Sequence, residues 1–286
     1  MIKRYKQLNE NERKLVNEFI SRKSEKHKSL KELEDMFNNK IHDYGNGALF
    51  NFSGNKVNGK LNIVLEVADK LGTAFIYQID LLDNNKETLK SIVGEAIKVA
   101  ESYGATDIRL GTKDDNVIKL LNEIGLFIEY DSFDMVLEDR IIKHDCLGLT
   151  PLSEDNKKEY LRIYNEAFGD MPHGTVIDEE AVEEYLENIK SGQEYFLVTD
   201  NNENIGFLEV TIDDDEGYFD IGLCKASQGK GYGRRLLETA IDFLNKKDAK
   251  KINLTVIEEN QRAYNMYKSR GFKVESVIHR WVKINL

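Results

Sequence analysis

The sequence predicts a mixed α/β fold used twice, as two domains in tandem, each a mostly antiparallel mixed sheet flanked by helices. Three observations carry that expectation. A chain of 286 residues exceeds the usual size of one domain, ~100 to 200 residues. A helix–strand–helix series recurs at a fixed spacing, with Ala96 and Ala240, Ile108 and Ile252, and Leu110 and Leu254 each 144 positions apart. A composition of 41% hydrophobic and 32% charged residues with only 2 Pro suits a globular core and excludes collagen-like or low-complexity chains.

Apolar period and turn residues give each half the same order: strand, two helices, three meandering strands, helix, strand, helix, closing strands. In the first half a hairpin-like stretch runs from Ala48 to Glu66 through Asn55 and Gly59, and a third strand from Thr73 to Leu82. A helix containing Ser91-Ile92-Val93 then runs to Tyr103, a strand follows at Asp107–Leu110, and a helix at Asn116–Ile124 ends at Gly125. Phe133–Leu137 closes the half. The second half opens with a strand at Gly148–Leu152, continues through a hairpin from Tyr195 to Val210 by way of Asn202 and Gly206, and adds a third strand at Tyr218–Cys224. A helix carrying Arg235-Leu236-Leu237, a strand at Lys251–Val256 and a helix at Asn260–Arg270 ended by Gly271 complete the parallel. The two terminating glycines are 146 apart, so the second copy has two more residues between strand and helix. A boundary near Lys143 to Leu149 gives domains 1–143 and 144–286.

The net charge of −11 disfavours phosphate backbones, so no nucleic acid is expected, and a cationic or amine-bearing partner is easier to accommodate. Two cysteines, Cys146 and Cys224, are too few for a disulfide framework and lack ligand spacing. The charged start and the short apolar runs fit neither a signal peptide nor a bilayer span, which points to a cytoplasmic protein without a membrane partner. The five histidines, His27, His42, His144, His173 and His279, show no metal spacing, so no metal is expected.

The richest segment is the strand from Tyr218, the loop Gln228-Gly229-Lys230-Gly231-Tyr232-Gly233-Arg234, and the helix it opens, with Leu237, Ala240, Ile241 and Leu244 on one face. Glycines let a ligand approach the backbone, and the unpaired N–H groups and dipole of a helix start attract an anion, phosphate above all. Lys230, Arg234 and Arg235 add positive charge in an otherwise acidic chain. A P-loop would need Gly-Lys-Ser/Thr, which is absent, and a dinucleotide fingerprint would place the third glycine one residue later.

The spacing matches Gln/Arg-x-x-Gly-x-Gly/Ala, and Asn260, Ala263, Tyr267, Gly271 and Phe272 match Asn-x-x-Ala-x-x-x-Tyr-x-x-x-Gly-Phe. With both motifs in order and a strand between them, the second half resembles the GNAT superfamily of acyl-CoA-dependent N-acyltransferases. The resemblance implies an acetyltransferase moving an acetyl group from acetyl-CoA directly to a primary amine. The cofactor would be held by Leu223, Cys224, Gln228, Gly229, Lys230, Gly231, Tyr232, Gly233, Arg234, Asn260 and Tyr267, the first two through backbone amides freed by a splayed strand. Tyr267 would serve as the acid that protonates the leaving thiolate, since a phenol stays protonated at neutral pH. Asp220 is the first candidate base and Glu209 the second; bland readings are a solvent-facing Asp220 and a packing Tyr267. Asn260 caps its helix by default. Cys224 reads as a small strand residue rather than a nucleophile, Pro172-His173-Gly174 as a turn bordering the acceptor site, and Asp213–Glu216 as a solvated hairpin tip.

The first half lacks the machinery. Asn84 to Leu89 stand opposite Gln228 to Gly233 with no glycine, and Leu121 stands opposite Tyr267. It resembles a GNAT copy that kept the fold and lost the cofactor site. The acceptor, a small-molecule or peptide amine, is not readable, and the resemblance leaves monomer and homodimer open. The alternative function is a non-catalytic acyl-CoA-binding sensor or scaffold.

Overall fold

The computed structural model describes residues 1–23, 28–189 and 192–284. The chain divides into two compact units, residues 1–131 with 278–286, and residues 132–277. That division differs from a single cut at 143/144, because the strand at Tyr130–Leu137 passes from one unit to the other after Asp131 and the last strand does so after Val277. Sheet pairing is the physical reason. Each closing strand hydrogen-bonds to the other half's parallel strand, and a strand's own sequence does not name its partner.

The first unit contains β1 (Ile2–Arg4), α1 (Glu10–Lys23), α2 (Leu30–Phe37), β2 (Ala48–Ser53), β3 (Lys56–Val64), α3 (Ala68–Leu71), β4 (Thr73–Leu81), α4 (Lys86–Ser102), β5 (Asp107–Thr112) and α5 (Asp115–Glu123). Strands β1 to β4 form an antiparallel meander and β5 joins β4 in parallel. Residues 280–284 pair antiparallel with the free edge of β5. α4 buries Leu89, Ile92, Val93, Ala96, Val99 and Ala100, a spacing of three and four that lines one face. Burial of each of its larger side chains is worth about 1.5–3 kcal/mol. The opposite face of the sheet carries α1 and α2 over an aromatic cluster of Tyr5, Phe37 and Phe50.

The second unit starts within β6 (Tyr130–Leu137) and continues with β7 (Gly148–Pro151), α6 (Lys157–Phe168), α7 (Glu179–Asn188), β8 (Gln193–Asp200), β9 (Glu203–Asp213), β10 (Glu216–Leu223), α8 (Tyr232–Lys246), β11 (Lys251–Ile257), α9 (Gln261–Arg270) and β12 (Phe272–Ile284). Strands β7 to β10 are an antiparallel meander, β11 lies parallel to β10, and residues 132–137 pair antiparallel with β11. α8 and α9 pack on one face, where Leu236, Leu237, Ala240, Ile241 and Leu244 are buried. A Cβ on Gly217 would lie 2.5 Å from Leu244, so the helix rests directly on the β10 backbone. The other face carries α6 and α7 over Tyr160, Tyr164, Tyr195 and Phe207.

Two features of this unit position the site. β10 and β11 hydrogen-bond only over Glu216–Tyr218 and Lys251–Asn253, and β10 then continues to Leu223 with β9 alone as its paired neighbour, leaving a gap in the sheet. Arg270 of α9 and Glu238 of α8 form a buried ion pair at 2.5 Å. Arg270 also donates to the carbonyls of Asp139 (3.0 Å) and Ile141 (2.8 Å), and the Lys143 amide donates to Glu238 (3.1 Å). Every charged atom of that pair is thus met by a partner, which is what keeps a buried pair from being a net cost.

Candidate active site

The gap between β10 and β11 opens into a cleft of about 1100 Å³ that runs past the start of α8 and along α9. At its far end Gly231 sits at φ +90° as the N-cap of α8, and no side chain caps the helix. A Cβ at Gly229 or Gly231 would meet nothing within 4 Å, so glycine serves here to allow the left-handed backbone and to leave room for a ligand. The amides of the first helical turn have no partner within the helix and point into that space. An uncapped helix start of this kind attracts an anion, and Arg234 on the same wall adds positive charge. Gln228, Gly229, Gly231, Gly233 and Arg234 line the cleft, whereas Lys230 and Tyr232 do not. The Tyr232 phenol donates to Asp200 at 3.0 Å, and Arg235 pairs with the same carboxylate at 3.1 Å, so both side chains brace α8 rather than extend toward the cleft.

The gap also supplies amides. Cys224 donates its N–H to the Ile205 carbonyl at 2.9 Å. This takes Cys224 out of the expected donor pair, because its amide is spent on the β9 ladder. Alternation along an antiparallel strand then directs the N–H groups of Leu223 and Ile221 away from β9 and into the gap. Asn260 caps α9 by accepting from the Ala263 amide at 3.2 Å, and its Nδ2 faces the Met171 sulfur at 3.8 Å. Tyr267 is buried on the wall of the cleft, and its hydroxyl has no hydrogen-bond partner among the described residues. Burial, reinforced by the charge of Asp220, pushes its phenol above the ordinary range, so it holds its proton at any physiological pH.

On the other face of the sheet Asp220 and Glu209 stand directly opposite each other on β10 and β9. Facing residues of an antiparallel pair have Cβ atoms about 5 Å apart. Burial pushes the Glu209 carboxyl up to about 7, helped by the neighbouring Asp220 charge and opposed by the Tyr160 hydroxyl, which donates to it at 2.5 Å. Asp220 is accessible to cavity water yet enclosed by protein on most sides, and that enclosure raises its carboxyl too. The two carboxylates border a second cavity of about 400 Å³, walled by Tyr185, Tyr195 and Tyr218. Asp220 and Thr255 line both cavities, so the two meet where β10 and β11 part. Base candidates and acid candidate therefore lie on opposite faces of one sheet and communicate through the gap.

Tyr160, Tyr185 and Tyr195 were not singled out by sequence. Tyr185 and Tyr195 stack at 4.3 Å, with Tyr160 set edge-on to both. The available signal was Tyr160, Tyr164 and Phe168 at successive four-residue steps on one helix. The other sequence expectations find these places. His173 takes φ +56° in the turn after α6 and lines the cleft. Asp213 to Asp215 are exposed at the β9–β10 tip. Cys224 is buried in the α6 layer, and no group of metal-ligating side chains occurs among the described residues; His27 lies outside them.

Comparison with known proteins follows the same division. Residues 157–272 match the Acetyltransferase (GNAT) family. This segment is a GNAT-family domain. A mycothiol acetyltransferase from Renibacterium salmoninarum is 42% identical over 52 residues, 18% of this chain and 15% of that protein. Among solved structures, a GCN5-related N-acetyltransferase from Kribbella flavida is similar over 99% of this chain and 70% of its own, with a TM-score of 0.63 at 13% identity. A tandem GNAT protein from the clavulanic acid biosynthesis pathway covers 82% of this chain and 81% of its own, at a TM-score of 0.50 and 13% identity. At these identities the structures establish the fold alone, and the family match over residues 157–272 supports acyl transfer in general for the second half.

Proposed function

We propose that the second unit transfers an acetyl group from acetyl-CoA directly to a primary amine. The observation that carries this reading is the junction of two cavities through the β10–β11 gap, one with an uncapped glycine cradle and the other with a carboxylate pair. The pyrophosphate of the co-substrate would lie against the amides of residues 231–234, with Arg234 and Gln228 beside it. Its thioester oxygen would face the Leu223 and Ile221 amides, preorganised donors for the charge that develops there. The amine nitrogen forms a bond to the acetyl carbon as the carbon–sulfur bond breaks. Asp220, with Glu209 facing it, takes the proton the amine must lose, and Tyr267 donates one to the departing sulfur. The first unit holds no cofactor in this reading. The acceptor is a small-molecule or peptide amine, no nucleic acid or membrane takes part, and the protein works in the cytoplasm as a monomer or homodimer.

Calorimetric titration of acetyl-CoA into the intact protein tests the reading, with a Gly231→Glu, Gly233→Glu variant as control. One binding event per chain that disappears in the variant is expected. Two events would assign a working site to the first unit as well. Binding without acetylation of any amine in a screen would instead support a sensor or scaffold.

A further inference from the structure

The smaller cavity is chemically one-sided. Asp220 and Glu209 border it, tyrosines wall it, and its remaining polar lining is neutral: Asn188, Gln193, Thr211 and Thr255. Among the described residues no lysine, arginine or histidine lines it. Behind Tyr218, Glu216 accepts its phenolic hydrogen at 2.8 Å and is itself met by Lys251 at 3.8 Å, so the cavity's own charge is that of Asp220 and Glu209. Tyrosine faces and carboxylates both attract an ammonium group, the first through the ring quadrupole and the second through charge. A carboxylate on the ligand would find no cation among the described lining residues and would stand against one or both acidic side chains, an unpaired charge of the kind that sites use to reject ligands. The volume suits a small ligand rather than a folded peptide segment.

Resting on the proposed acetyl transfer, we infer that this cavity selects a short-chain primary amine that bears no carboxylate. Its ammonium group sits at Asp220 and Glu209, and its carbon chain lies along Tyr185, Tyr195 and Tyr218. An α-amino acid, an ω-amino acid and a peptide with a nearby C-terminus are disfavoured by the same acidic lining. The raised carboxyl of Glu209 agrees with a pair that gains from a cation arriving between its members.

The test measures amine binding without turnover. 1,4-Diaminobutane and 4-aminobutanoate, matched in chain length, are titrated calorimetrically into the full-length protein at pH 8. The diamine is expected to bind at least tenfold tighter. Glu209→Gln is expected to weaken diamine binding by tenfold or more while leaving acetyl-CoA binding intact. Thr211→Lys, on a strand position that is only partly buried, places a cation in the lining and is expected to shrink or reverse the preference. Equal or tighter binding of the amino acid, failure of the diamine to bind, or a preference unmoved by Thr211→Lys would overturn the inference. Acetyl-CoA titrated in parallel separates the two readings: its failure to bind removes the proposed transferase, whereas failure of the amine alone removes only this selectivity.

Discussion

The helices α4 and α8 hold the same place in the two repeats and begin in opposite ways. In α4 the Asn85 side chain accepts from the Thr88 amide at 2.9 Å and Glu87 stands in the first turn, so the positive end of the helix is met by the chain itself. In α8 a glycine at φ +90° stands at the cap, with no side-chain bond and no acidic residue in the first turn. Both starts present the same orphan amides, and only the second leaves them for a ligand. The β-strands repeat the contrast. Where β4 parts from β5, the facing residues are Asn62 and Tyr77, neutral and tied internally, Asn62 to Gln78 at 2.8 Å and Tyr77 to His42 at 3.2 Å. Beyond the equivalent point in the second unit stand Glu209 and Asp220. A fold supplies the places where chemistry can occur; capping and side-chain charge decide whether a place is open or closed.

Changes to the two copies should therefore differ in kind. The largest effect is expected from Gly231→Glu with Gly233→Glu, which fills the cradle with two carboxylates and should lower acetyl-CoA affinity by ~1000-fold or more on calorimetry, as several charge-assisted bonds are lost. An acidic residue at the start of α4 is already native, and Glu87→Gln should leave that affinity unchanged. Next comes Glu238→Ala, which strands Arg270 without its partner. It should destabilise the second unit by about 3–5 kcal/mol in urea unfolding. Tyr267→Phe should leave acetyl-CoA affinity within twofold and reduce kcat by about 10- to 100-fold, at or below the lower range for loss of a general acid. The matching change Leu121→Met in the first unit should leave kcat alone.

The pH profile sharpens the same contrast. Activity should rise through about pH 7 as Glu209 ionises, and Glu209→Gln should move that acid limb to the one set by Asp220 alone. The sign for stability is opposite. A carboxyl raised on folding is stabilising while protonated, and that contribution is lost as pH climbs from the unfolded value of 4.5 to about 7. Urea unfolding at pH 5 and pH 8 should show a larger loss in the native protein than in the variant, which keeps only the share of Asp220. The smallest effect is expected from Asn85→Ala, which removes a cap and should cost about 1 kcal/mol with no change in acetyl-CoA binding.

What could be read without a structure was what lies close along the chain. Gln228 to Arg234 and Asn260 to Phe272 are single loops and helices, whose cleft-facing groups follow from glycine, helix start and four-residue spacing. The repeat at 144 was legible for the same reason, since helix and strand periods are local. The donor role expected for Cys224 failed because which amides of β10 face the gap depends on its register with β9, and one residue reverses the answer. Tyr185 and Tyr195 come from a helix and a strand that meet only in space, so no spacing along the chain joins them to Glu209.

The sequence by itself determined a tandem α/β protein, an open glycine loop in one copy and a closed helix start in the other, and a phenol on the helix after the parallel strand. Only the tertiary structure decided that residues 132–137 and 280–284 each complete the sheet of the opposite half, and that Asp220 and Glu209 face one another beside a tyrosine-walled cavity. The reason is the range of the forces. Helix propensity, capping and backbone freedom act within a few residues, whereas strand partnership and cavity lining are set by contacts between segments far apart in the chain.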